Sequence, residues 1–251
     1  MDDMDLLIDL HINNARQGPG GPSATRRAID IAGLQNQSNL TIADIGCGTG
    51  ASALMLASEL DCHVTAVDFL PAFLERLQSR AIQQGCDDRI TTLAASMDSL
   101  PFDDGSLDVI WSEGAIYNIG FEEVLKACQR LLNPGGIIAV SEISWLTRQP
   151  AAELADHWNA IYPEIAPVST KLAQMEEHGY SPLGCFVLSP RCWLQNYYQP
   201  LQDRFPHFLD KHEHSQAAQR IVAEEQAEIA LYETYQDQVS YGFYIARKTE
   251  I

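Results

Sequence analysis

The segment Ile42-Ala-Asp-Ile-Gly-Cys-Gly-Thr-Gly50 constrains this 251-residue chain more than any other. Thr41 to Ile45 is a short apolar run that reads as a strand, and Ala51 to Leu60 reads as a helix. Glycines at alternate positions between them make a strand–turn–helix junction, where bare backbone N–H groups meet a ligand at the helix start. The alternation then repeats. His63–Val67 reads as a strand and Pro71–Gln84 as a helix with proline in its first turn. Arg89–Leu93 and Leu107–Trp111 are further strands. Glu122–Leu132 is helical and stops at Asn133-Pro-Gly-Gly136, after which Ile137–Ser141 is a buried strand. Strands alternating with helices imply an α/β fold, a doubly wound parallel sheet covered on both faces.

The flanks are more helical. Residues 4–15 read as a short helix, which Arg16-Gln-Gly-Pro-Gly-Gly-Pro22 ends, and Ser23 is placed to cap a second helix through Leu34. Beyond Trp145, Pro150–Ile161 and Ser169–His178 read as helices and Cys185–Ser189 as a sixth strand. An uninterrupted helical stretch over Ser215–Tyr235 precedes a closing strand at Tyr241–Ala246. The expected organisation is one domain: an N-terminal helical lid (1–36), a ligand-binding core (37–190), a helical insertion (191–237) and a closing strand (238–251).

Charge and cysteines bound the partners. Lys plus Arg number 16 against 34 Asp plus Glu, a formal net charge of -18. So acidic a surface repels phosphate backbones and anionic membranes, so neither nucleic acid nor a membrane is the expected partner, and it leaves small or cationic ligands open. The six cysteines are scattered without a C-x-x-C pair or a zinc-like quartet, and the acidic start Asp2-Asp3-Met4-Asp5 lacks the charge of a signal peptide. No apolar run approaches the roughly 20 residues that span a bilayer. A cytoplasmic protein with free, buried thiols is expected. A homodimer is compatible with the sequence, which carries no mark of oligomeric state.

The glycines alone do not choose a ligand. Gly46-x-Gly48-x-x-Ala51 also fits the dinucleotide fingerprint, and Asp68, at the end of the second strand, is placed to bind ribose hydroxyls in either ligand class. Asp44 distinguishes them. A carboxylate two residues before the first loop glycine repels a pyrophosphate but favours an ammonium. S-adenosylmethionine (SAM) carries an ammonium and a sulfonium and no phosphate. The alternative for Asp44 is a local cap on the loop backbone.

Asp44-x-Gly46-x-Gly48-x-Gly50 with Asp68 resembles the class I SAM-dependent methyltransferases. The resemblance continues through Leu100-Pro-Phe-Asp-Asp-Gly-Ser-Leu-Asp-Val-Ile110 and Leu131-Leu-Asn-Pro-Gly-Gly136, covering residues 40–145. It is nearest the small-molecule branch that includes ubiquinone and menaquinone biosynthesis methyltransferases. Trp111-Ser-Glu-Gly-Ala-Ile-Tyr-Asn-Ile-Gly120 and Arg16-Gln-Gly-Pro-Gly20 resemble uncharacterised bacterial members of that branch. The resemblance implies a Rossmann-like, seven-stranded sheet whose last strand is antiparallel. It also implies that Asp44 and the amides near Gly46 and Gly48 hold the methionine end, while Asp68, with Phe69 beside it, holds the ribose. Where the family commonly carries an adenine-binding acid, this chain has Ser96, with Met97 next to it and Asp98 as a substitute. Ser112 would line the crevice between cofactor and acceptor.

Methyl transfer from a sulfonium is an in-line displacement governed by positioning and desolvation, with a base needed only for an acceptor that loses a proton. Glu113 and Tyr117 follow a parallel strand's carboxyl end, where open α/β sheets place ligands. Glu113 is the candidate base and Tyr117 the orienting partner; the alternatives are a solvated loop carboxylate and core packing. Arg16, Gln17 and Gly18 would fold over the cofactor, or serve only as a helix breaker. Trp145 and the insertion aromatics Trp193, Tyr197, Tyr198, Phe205 and Phe208 would cover the acceptor, or simply pack. His207, His212, Glu213 and His214 lack metal-ligand spacing, so no metal is expected. Nucleobase methyltransferases carry an Asn/Asp-Pro-Pro-aromatic run where this chain has Ser112-Glu-Gly-Ala115. The expected function is methyl transfer from SAM to a small-molecule acceptor, releasing S-adenosylhomocysteine. The rivals are an NAD-dependent oxidoreductase and a SAM-binding protein without transferase activity.

Overall fold

The computed structural model describes residues 2–249, so the last two residues of the expected closing segment lie outside it. Helices α1 (Asp3–His11) and α2 (Pro22–Ala32) precede the sheet. Asp2 and Asp5 form a reciprocal capping box on α1. The α1 helix ends at His11, before the expected 15, and α2 begins at Pro22 without a side-chain cap, because proline's fixed φ already suits the first helical position.

The alternating region then runs β1 (Leu40–Ile45), α3 (Ala51–Glu59), β2 (Cys62–Asp68), α4 (Pro71–Gln84), β3 (Ile90–Ala94), β4 (Leu107–Glu113), α5 (Phe121–Leu131) and β5 (Leu132–Trp145). Its strands are parallel in the order β3-β2-β1-β4-β5. After α6 (Ala152–Ile161), the two-residue β6 (Ala166–Pro167) pairs with the end of β5, and α7 (Val168–Glu177) leads into β7 (Tyr180–Val187). Four helices follow: α8 (Pro190–Trp193), α9 (Gln199–Gln202), α10 (Phe205–Lys211) and α11 (Gln216–Tyr235), with a π-helical turn over Leu194–Tyr198. β8 (Val239–Lys248) then inserts between β5 and β7, antiparallel to both. The doubly wound sheet and antiparallel last strand stand as expected, with β6 as a small addition.

Period-two alternation divides the sheet's apolar residues between two layers. Ile42, Val64, Val109 and Trp111 pack with helices α1 to α4, α6 and the helices that precede β8. Ala43, Ile45, Val67 and Ile110 pack with Phe121, Val124 and Leu125 of α5 and Met175 of α7. All six cysteines are free, and five are buried; Cys185 is half-buried.

Candidate active site

β1 ends at Ile45, and the loop Gly46–Gly50 turns the chain into α3 at the carboxyl edge of the sheet. Gly46 and Cys47 donate from their amides to the Val67 carbonyl at 2.8 and 3.0 Å, which pins the loop against β2. Both Gly46 (φ 70°) and Gly48 (φ 54°) lie in the left-handed region. A Cβ on Gly46 would sit 2.3 Å from the Ala115 Cβ, and one on Gly48 would sit 2.4 Å from Gln17 Oε1. Only glycine allows the backbone to pass here.

Asp68 ends β2 beside this loop. Its Oδ2 accepts from the Gly48 amide at 2.8 Å and its Oδ1 from the Leu70 amide at 2.9 Å. Burial raises the carboxyl's pKa from its ordinary value against the pull of those amides. Each oxygen keeps further lone-pair capacity for a ligand hydroxyl.

Loop and carboxylate form one wall of a cavity of about 450 Å³. Phe69, 70% exposed despite its size, lines it, as do Ser96 and Met97 beyond β3, Glu113 at the end of β4 and Tyr117 beyond it. Arg16, Gln17 and Gly18 close it from the N-terminal side. Of the expected cofactor residues, only Asp44 and Ser112 are off this wall; Asp98, the expected substitute, is off it too.

Three expectations therefore change. Asp44 is wholly buried behind the loop, where its Oδ2 accepts from Ser52 Oγ at 2.6 Å; it braces the loop–helix junction and does not face the cavity. Burial, with Glu113 and Asp68 nearby, raises its pKa to about 7. Ser112 is buried as well, and its hydroxyl donates to the Ile45 carbonyl at 2.7 Å, tying β4 to β1. Glu113, the expected base, accepts from Arg16 Nη2 at 2.7 Å, Thr25 Oγ1 at 2.7 Å and Trp111 Nε1 at 3.1 Å. Held by these three donors, its carboxylate ties the N-terminal segment to the end of β4.

That segment is fastened over the glycine loop. Gln17 Oε1 accepts from the Thr49 amide at 2.8 Å, while its Nε2 donates to the carbonyls of His11 and Asn14. Arg80 of α4 donates to the carbonyls of Ala15 and Thr49 at 3.1 and 2.7 Å. Asn196 donates to the Gly20 carbonyl at 2.7 Å. Arg16 is thus engaged with Glu113 even though it lines the cavity.

A second chamber of about 330 Å³ adjoins the first and shares Gln17, Gly18, Gly114 and Tyr117 with it. Burial raises the Tyr117 phenol's pKa, so it stays protonated at neutral pH at the junction of the two chambers. Of the insertion aromatics, Trp193 and Tyr197 line the second chamber, whereas Tyr198, Phe205 and Phe208 are packed into the core. Trp145 is buried in register with Pro167 and Val239, away from both chambers. Trp158, Tyr241, His11, Glu225 and Glu228 also line it and are not singled out by sequence. His212 pairs with Asp9 at 2.8 Å and His214 with Asp210 at 3.1 Å.

Residues 42–136 match the methyltransferase domain family. The chain is 33% identical over 136 residues to 27-O-demethylrifamycin SV methyltransferase of Amycolatopsis mediterranei (strain S699), which covers 53% of this chain and 50% of that protein. It is 31% identical over 167 residues to demethylmenaquinone methyltransferase of Clavibacter sepedonicus, covering 64% and 61%. The chain spans about half the length of the curated relatives it matches. The crystal structure of a SAM-dependent methyltransferase from Geobacter sulfurreducens in complex with S-adenosyl-L-homocysteine superposes with a TM-score of 0.85 at 19% identity, covering 97% of this chain and 98% of that one. At that identity the likeness is one of fold.

Proposed function

We propose that this chain, whose residues 42–136 match the methyltransferase domain family, is a class I SAM-dependent methyltransferase that transfers the methyl group of SAM to a small-molecule acceptor. The observation that carries this reading is the pair of adjoining chambers at the carboxyl edge of the sheet, sharing Tyr117 and Gly114. The residues of the first chamber fit SAM. Asp68 offers carboxylate oxygens to the ribose hydroxyls, and Gly46 and Gly48 allow close backbone approach to the methionine end. Ser96 and Met97 suit the adenine side, and exposed Phe69 gives an apolar face for it or the ribose. A diphosphate fits poorly: Arg16 is the one Lys or Arg on the wall among the described residues, and it is paired with Glu113. That favours SAM over a nicotinamide dinucleotide.

When bound, SAM supplies an electrophilic methyl group on a sulfonium, ready for in-line displacement. The chain supplies position and exclusion of water. The fastened segment Arg16–Gly18 covers the cavity, and Glu113 holds that cover by holding Arg16. The protonated Tyr117 hydroxyl can donate a hydrogen bond to an acceptor at the junction and orient it; no base is assigned to Glu113. No helix among the described residues is long and apolar enough to cross a membrane. The net charge of -18 and unpaired cysteines support a cytoplasmic site of action and a partner other than nucleic acid.

Formation of S-adenosylhomocysteine from SAM across a panel of amine, hydroxyl, thiol and carbon acceptors tests the proposal. Turnover dependent on one acceptor class supports it. SAM binding without turnover on any class contradicts it in favour of a SAM-binding protein.

A further inference from the structure

We propose that the second chamber holds a positively charged ammonium group of the acceptor, an inference that rests on the methyl-transfer reading of the adjoining cavity. Its wall carries the aromatic rings of Tyr117, Trp158, Trp193, Tyr197 and Tyr241. Two of these rings support each other, Trp193 meeting Tyr241 edge-on with centroids 4.9 Å apart, and Tyr117 stands at the junction with the first chamber. Ring faces attract cations through their quadrupoles, and attract them more strongly when water is excluded.

Charge points the same way. Glu225 and Glu228 both line the chamber, three residues apart on α11 and hence on one helix face. Tyr198 donates to Glu228 Oε1 at 2.9 Å and fixes that carboxylate, whose Oε2 receives no hydrogen bond from the described residues. No Lys or Arg among the described residues lines the chamber. His11, with Nε2 3.5 Å from Glu225 Oε1 and its ring stacked on Tyr197, is the one imidazole on the wall among the described residues. Burial, with Glu225 nearby, raises the Glu228 carboxyl's pKa, so the pair of acids either keeps a proton or is completed by a cation, and a bound ammonium stabilises the ionised form. An acceptor with a carboxylate or phosphate at this end would be repelled, and a neutral one would gain nothing from the two acids' charge.

Choline and 3,3-dimethylbutan-1-ol have the same shape and differ in charge, so their binding to the protein saturated with S-adenosylhomocysteine separates charge from fit. Choline is expected to bind at least roughly tenfold more tightly than the neutral isostere. Glu228→Gln and Glu225→Gln should each weaken choline by about tenfold or more while leaving S-adenosylhomocysteine affinity unchanged, which also reports that each variant is folded. Equal affinity for the two probes, no choline binding, or variants that bind choline as wild type does would overturn the inference. Failure of the wild-type protein to bind S-adenosylhomocysteine would instead overturn the reading beneath it.

Discussion

Arg16 and Glu113, 97 positions apart in sequence, meet at 2.7 Å with side chains only 11% and 4% exposed. One carboxylate at the end of β4 thereby fixes the segment that crosses the glycine loop. Glu113→Gln should leave Arg16 without its counter-charge and cost about 2–3 kcal/mol of stability, measured by denaturant unfolding. A double-mutant cycle with Arg16→Gln should give a coupling of about 1–2 kcal/mol. A Glu113→Gln protein of wild-type stability that has lost only turnover would restore Glu113 as a base.

Asp68 is oriented by the amides of Gly48 and Leu70 at 2.8 and 2.9 Å. Asp68→Ala should weaken SAM binding by more than about tenfold, or 1.4 kcal/mol, through loss of charge-assisted hydrogen bonds. Titration calorimetry measures this directly, and unchanged affinity would remove Asp68 from the ligand site.

Gly48 is hemmed in by Gln17 Oε1, 2.4 Å from where a Cβ would stand, and its φ is 54°. Gly48→Ala should therefore cost about 1–2 kcal/mol in stability and lower SAM affinity. Adding Gln17→Ala should relieve the steric part but not the backbone strain. A partial recovery in affinity is the expected result; none at all would place the clash elsewhere.

Burial, offset in part by the Ser52 hydrogen bond and reinforced by Glu113 and Asp68, raises Asp44 from an ordinary 3.8 to about 7. The folded protein thus holds this proton more tightly than the unfolded chain does. The associated stability is full below about pH 4 and is lost as pH rises towards 7. Denaturation midpoints of wild type and Asp44→Asn, which keeps an acceptor for Ser52, should diverge across that window, the variant gaining relative stability as pH rises. Parallel profiles would contradict the buried-acid account.

Local signals made the core legible. The glycine loop, its flanking strand and helix, and Asp68 at the next strand end are all set by short-range chemistry, and the first chamber is lined by the loop, the start of the helix and Asp68. What sequence did not disclose depends on distant partners. Nothing in the order of residues around Glu113 indicates that Arg16, Thr25 and Trp111 converge on it. Asp44 reads as a ligand contact because its position two residues before the glycine loop is visible in the sequence, while its burial is a tertiary property. The expected strand at 185–189 begins earlier, at Tyr180, because β7 is an edge strand and accommodates Pro182 and Gly184 through a register shift. Lys171 is fully buried, with Nζ donating to the Glu164 carbonyl at 2.9 Å and lying 4.5 Å from the centre of the Phe121 ring, a placement its helix pattern does not announce.

Calorimetric titration of the purified protein with SAM, S-adenosylhomocysteine and NADH in parallel distinguishes a SAM site from a dinucleotide site. Binding of the first two at micromolar concentrations, with no heat from NADH, is the predicted result. Binding of NADH alone would mean that the first chamber accepts a dinucleotide despite having Arg16 committed to Glu113, and would contradict the assignment of this site to SAM.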